Sequence, residues 1–109
     1  MSKICLFGDS ISKGVIIDEL RDRYTMTKSC FANLLSKGIG LELKNYSMLG
    51  CTITKGKSML ERHKKTLEDC SLVVLEYGGN DSDHNWQEIA ADPCGEHLPK
   101  TPIAQFEQT

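Results

Sequence analysis

The apolar positions of this chain fall in short runs separated by amphipathic stretches, and the alternation predicts strand, helix, strand, helix, strand. The first run, Ile4-Cys5-Leu6-Phe7, is uninterrupted, as a parallel strand buried on both faces requires. Gly8-Asp9-Ser10 follows at once. A glycine there lets the backbone turn sharply, and Ile11 through Asp18 read as loop or the start of a helix. Glu19 to Lys28 is polar and reads as a surface excursion. Ser29 is a candidate N-cap for a helix with Phe31, Leu34 and Leu35 on one face, and Gly38 is placed to stop it. Leu41, Leu43 and Tyr46 predict a second strand ending near Ser47, with Met48-Leu49-Gly50-Cys51 as its turn. Met59, Leu60, His63 and Leu67 recur at helical spacing, with Lys57, Arg62, Lys64 and Lys65 on the wet side. The clearest strand is Leu72 to Tyr77, closed by Gly78-Gly79-Asn80-Asp81.

Strands alternating with helical stretches imply an α/β protein with a parallel sheet and right-handed crossovers. Near the end, Thr101-Pro102 opens another helix carrying Ile103 and Phe106, which reaches Thr109 barely two turns later. A βαβ unit takes about 30 residues, so residues 1–109 read as a single domain holding only three strand-helix units. The expectation is a domain truncated at its C-terminal end. Its uncovered sheet edge would offer a route to self-association.

Composition narrows the classes without naming a function. With 39% hydrophobic residues, 26% charged residues and 3 prolines, the chain is an ordinary globular sequence. A net charge of -2 supplies no field to gather phosphodiesters, so nucleic acid is not an expected partner. No apolar run approaches the ~20 residues of a membrane span, and the first run is too short for a secretory leader. The five cysteines, Cys5, Cys30, Cys51, Cys70 and Cys94, are odd in number and form no CxxC pair. That usage suggests unpaired thiols in a reducing cytoplasm, and no Cys/His spacing suggests zinc.

The chemistry lies in the turns that follow the three strands. Open α/β sheets bind ligands at the carboxyl ends of their strands, and there the chain places Ser10, Gly50 and Asn80. Acyl transfer needs a nucleophile and donors aimed at the developing oxyanion. The Ser10 N–H, the Gly50 N–H and the Asn80 side chain are such donors, each worth about 10²–10³ in rate.

Phe7-Gly8-Asp9-Ser10-Ile11, Asn45-Tyr46-Ser47 leading to Gly50, and Tyr77-Gly78-Gly79-Asn80-Asp81 resemble blocks one to three of the GDSL/SGNH hydrolase family. The resemblance spans Ile4 to about Trp86. It implies a flavodoxin-like α/β/α three-layer fold, of which only the first three strand-helix units are present, and hydrolysis of small or carbohydrate esters. It further implies Ser10 as nucleophile, Ser10, Gly50 and Asn80 as the oxyanion hole, and Asp9 as a residue shaping the nucleophile turn. No metal or organic cofactor is implied.

The family's fourth element, an Asp-x-x-His block supplying the base, is where this chain departs. Its literal match, Asp81-Ser82-Asp83-His84, overlaps block three and leaves the wrong strand, so His84 is only a weak candidate for the base. His97 reads as a surface residue and His63 as a packing residue on an apolar helix face. The base is therefore expected beyond Thr109, and the 109 residues alone are expected to be inactive. Cys51 reads as a core thiol and Lys55-Gly56-Lys57 as the solvated start of a helix. Trp86 reads either as a pocket wall or as a cap on the core. The alternative function is a non-catalytic flavodoxin-like module binding a small ligand in the same crevice, although the first turn lacks both phosphate-loop patterns.

Overall fold

The computed structural model describes residues 3–109. The central strand β1 (Lys3–Gly8) is buried along almost its whole length. It pairs in parallel with β2 (Glu42–Asn45) on one side and β3 (Cys70–Glu76) on the other. The chain is thus α/β with a three-stranded parallel sheet. From β1 the chain crosses through α1 (Phe31–Ile39) to β2, then back through α2 (Ile53–Arg62) to β3. The first crossover steps from the central strand to one edge, and the second runs back past the central strand to the other edge.

Several boundaries move from the sequence reading. The single-turn helix αN (Ser10–Lys13) starts immediately after Asp9 and closes on Gly14 in the left-handed region. The segment after it is not loop. Residues Val15–Asp18 and Arg23–Met26 form an antiparallel hairpin, separate from the main sheet, and its base is tied by Thr27 N–H to Gly14 O at 2.8 Å. The expected polar excursion is therefore the tip and second strand of a ribbon. Val15, Ile16, Ile17, Tyr24 and Thr25 favour extended backbone even without burial, and Asp18 caps the tip by accepting from Leu20 N at 3.2 Å and Arg21 N at 3.3 Å.

Helix α1 is capped at Cys30 rather than Ser29, without a side-chain bond, and ends at Gly40 with φ of 69° rather than at Gly38. Leu67 falls in a 3₁₀ turn, Thr66–Asp69, outside α2. Beyond β3 lie two short helices, α3 (Trp86–Ala91) and α4 (Ile103–Gln108). The first of them is absent from the sequence reading. Its N-cap is Asn85, which accepts from Gln87 N at 3.1 Å and Glu88 N at 3.3 Å. The cap of α4 is Pro102, so Thr101 does not perform that role.

The cysteine expectation is corrected as well. Cys5 and Cys70 form a disulfide across β1 and β3, their Cα atoms 6.2 Å apart, while Cys30, Cys51 and Cys94 are free. Sixty-five positions separate the two in sequence, and only strand pairing brings them together. Cysteine usage therefore carries no argument for a reducing compartment. No helix among the described residues is long and apolar enough to cross a membrane.

Candidate active site

The strand ladder brings the first two turns side by side. Gly8 stands level with Glu76 on β3, and Leu6 with Asn45 on β2. Past the end of β2 the pairing continues as Tyr46 N–H to Leu6 O at 2.8 Å and Met48 N–H to Gly8 O at 3.0 Å. The second turn is thereby anchored to the strand that carries the first.

In the first turn, Asp9 is buried and its Oδ1 accepts from Ile11 N at 2.9 Å, the N-cap bond of αN. Ser10 is therefore the first helical residue, half-exposed at the sheet's carboxyl edge. Gly8 is needed for close approach rather than for its backbone angle, since a Cβ there would run into the Ser12 side chain. Ser12 is fully buried and donates to Glu76 Oε1 at 2.6 Å, stitching the nucleophile turn to β3. Burial pushes the Glu76 carboxyl above its ordinary range, with Ser12 opposing the shift and Asp9 adding to it.

Gly50 turns at φ of 67°, in the left-handed region, within a turn closed by Cys51 N–H to Met48 O at 3.3 Å. Cys51 is buried beside it, and burial raises its thiol pKa, partly offset by Lys55. In the third turn, Asn80 Nδ2 donates to Cys51 O at 3.1 Å and lies 3.5 Å from Asp9 Oδ2. One side chain thus touches both other turns. The contact to Asp9 is at the limit of a hydrogen bond, which leaves that hydrogen easy to redirect.

Asp81 is the residue whose role sequence reasoning missed. It is buried, and both its oxygens lie 3.0 Å from Ile53 N at the start of α2. Thr52 makes no side-chain cap bond of its own, so the third turn supplies the N-cap for a helix 28 positions earlier. The doublet Asn80-Asp81 was visible in the sequence, but nothing local tells which element the aspartate caps.

The histidines are scattered. His63 stacks on Tyr46 with ring centroids 4.0 Å apart, and Tyr46 in turn stacks on Phe7. His97 Nε2 lies 2.6 Å from Asp92 O. His84 lines a recess with Gly78, Ser82, Thr101 and Phe106, its ring tilted toward Trp86. Asp83 binds the His84 N–H and the Trp86 Nε1–H, each at 2.9 Å, and these bonds with Lys100 hold its carboxyl below the usual range. Among the described residues no histidine hydrogen-bonds Ser10, and no group of three or more His, Cys, Asp or Glu side chains is arranged to hold a metal. The Trp86 ring is exposed, so it does not cap the core, and its Nε1–H is held by Asp83, while Lys57 borders a second groove with Ile53, Leu60, Leu75 and Phe106.

The chain matches no family profile, no curated protein and no solved structure.

Proposed function

We propose that the chain carries the nucleophile and oxyanion-binding part of a serine ester hydrolase with a flavodoxin-like, three-layer architecture. The crossovers β1–α1–β2 and β2–α2–β3 step across the sheet in opposite directions, and right-handed connections of that kind lay their helices on opposite faces, which supports that layering. The observation that carries the functional reading is the Asn80 side chain, which lies within 3.5 Å of both the Gly50 turn and the Ser10 turn. Donors for an oxyanion must be fixed before charge develops, and this cross-bracing fixes them.

In this reading Ser10 Oγ attacks the carbonyl carbon of a small or carbohydrate ester and the alcohol leaves as the tetrahedral intermediate collapses. The Ser10 N–H, the Gly50 N–H and one Asn80 amide hydrogen receive the oxyanion. Water then attacks the acyl-serine and releases the acid. The serine proton needs a base, and no histidine of the described residues hydrogen-bonds Ser10. Turnover by these 109 residues is accordingly expected to be very low, since loss of a triad histidine costs about 10⁶ in kcat.

Labelling with a fluorophosphonate tests the reading. Slow covalent capture that disappears in Ser10→Ala supports it, and equal capture in wild type and Ser10→Ala overturns it. Robust ester hydrolysis abolished by His84→Ala would make His84 the base. The alternative, a small-ligand module using the same crevice, is favoured if Ser10→Ala leaves ligand binding intact and no label is taken up.

A further inference from the structure

A recess of about 400 Å³ lies on the flank of the first two turns, bordered by Lys13, Met26, Thr27, Lys28, Asn33, Asn45 and Ser47. No carboxylate lines it. Among the described residues the ion pairs are Arg21–Asp18, Lys44–Glu42 and Lys100–Asp83, so neither Lys13 nor Lys28 is neutralised by a neighbour. Ser47 is 5% exposed, and its Oγ has no hydrogen-bond partner. A buried hydroxyl left unpaired costs free energy, and Ser47 lines this hollow together with two lysines.

The surrounding framework is rigid where it needs to be. Asn45 Nδ2 donates to Ser12 O at 2.9 Å, while its Oδ1 accepts from Ser47 N at 3.0 Å. The Asn45 amide thereby ties Ser47 to αN. Asn33 belongs to the first turn of the nine-residue helix α1, which has no acidic residue there and no side chain capping its free N–H groups. The positive end of that helix therefore adds to the two ammonium groups.

We propose that this recess binds a phosphate group, either as inorganic phosphate or as the phosphomonoester of a small organic molecule. Two lysines, a helix N-terminus and an unpaired hydroxyl call for a ligand with several acceptor oxygens and more than one negative charge. A phosphate dianion has both, whereas a carboxylate has a single charge and two oxygens. The site is independent of the ester hydrolase reading, although Lys13 lies one helical turn from Ser10 on αN.

Titration of the whole chain at low ionic strength, followed by calorimetry and amide chemical shifts, tests the proposal with inorganic phosphate and glycerol phosphate as probes. Saturable binding is expected, with shifts at Lys28, Asn33 and Ser47. Lys28→Gln changes an exposed side chain and should weaken binding about tenfold, the effect of losing one charged hydrogen bond. Ser47→Ala should weaken it by a smaller factor, and added salt should weaken it further. Tighter binding of glycerol phosphate identifies the organic ester as the ligand, and tighter binding of inorganic phosphate identifies the free ion. Absence of saturation below about 10 mM for both probes, or affinity unchanged in both Lys13→Gln and Lys28→Gln, overturns the site.

Discussion

β1 and β3 run side by side, in register from Ile4 opposite Leu72 to Gly8 opposite Glu76, and both are rich in large apolar residues. Yet Ile4, Leu6 and Phe7 are at most 1% exposed, while Leu72, Val73 and Leu75 are 39%, 42% and 60% exposed. The difference is one of position. β1 has a hydrogen-bonded strand on each side, whereas β3 has one on a single side. An apolar run specifies a strand, but the neighbours that remove its surface from water decide how much that strand stabilises the fold.

The sharpest test of this contrast is a pair of truncations followed by urea denaturation. Leu6→Ala should cost about 2–5 kcal/mol, the range for emptying a packed core site. Leu75→Ala should stay under about 1 kcal/mol, because little of its surface is removed from water. Equal losses would mean that something covers β3 in solution, and gel filtration would then show whether it is a second copy.

A smaller effect is expected where β3 is covered, at its carboxyl end. The buried Gly56 of α2 sits against the ring of Tyr77, and a methyl at that position would collide with the ring. Gly56→Ala should therefore destabilise by about 1–3 kcal/mol, as overpacking does, while the exposed Lys57→Ala in the next position should be nearly neutral. A neutral Gly56→Ala would show that α2 is free to lift from Tyr77. The Tyr77 hydroxyl is itself buried without a partner, and burial drives its pKa upward.

The smallest effect is a pH dependence at the last residue of β3. The Glu76 carboxyl is pushed up, chiefly by burial, so the folded state favours the protonated form. Its contribution is fully present below the ordinary glutamate pKa and is lost as pH rises through the folded value. Glu76→Gln keeps an acceptor for Ser12 but cannot ionise. The melting temperature of wild type relative to this variant should fall as pH rises from about 4 toward neutrality. A constant difference across that range would show that burial at the end of β3 is no greater than along its middle.

Much of the candidate site was legible because its parts are local. Gly8-Asp9-Ser10, Gly50 and Asn80 each follow an apolar run, and a strand end is readable from the run that precedes it. The N-cap bond of Asp9 to Ile11 spans two positions and is equally local. Other features were hidden for the opposite reason. The Asp81 cap on Ile53, the Ser12 bond to Glu76 and the Cys5–Cys70 link join residues 28, 64 and 65 positions apart. The hairpin escaped because its strands gain little burial, so no hydrophobic face advertises them. Leu20 at its tip is almost wholly exposed.

The sequence by itself determined where the parallel strands lie and which residues stand in the turns after them, because apolar runs and turn residues act over a few positions. The tertiary structure alone decided which strand is central, that one asparagine braces the other two turns, and that two lysines, a helix end and a buried serine share one recess. Those are consequences of strand order and register, which no single segment encodes.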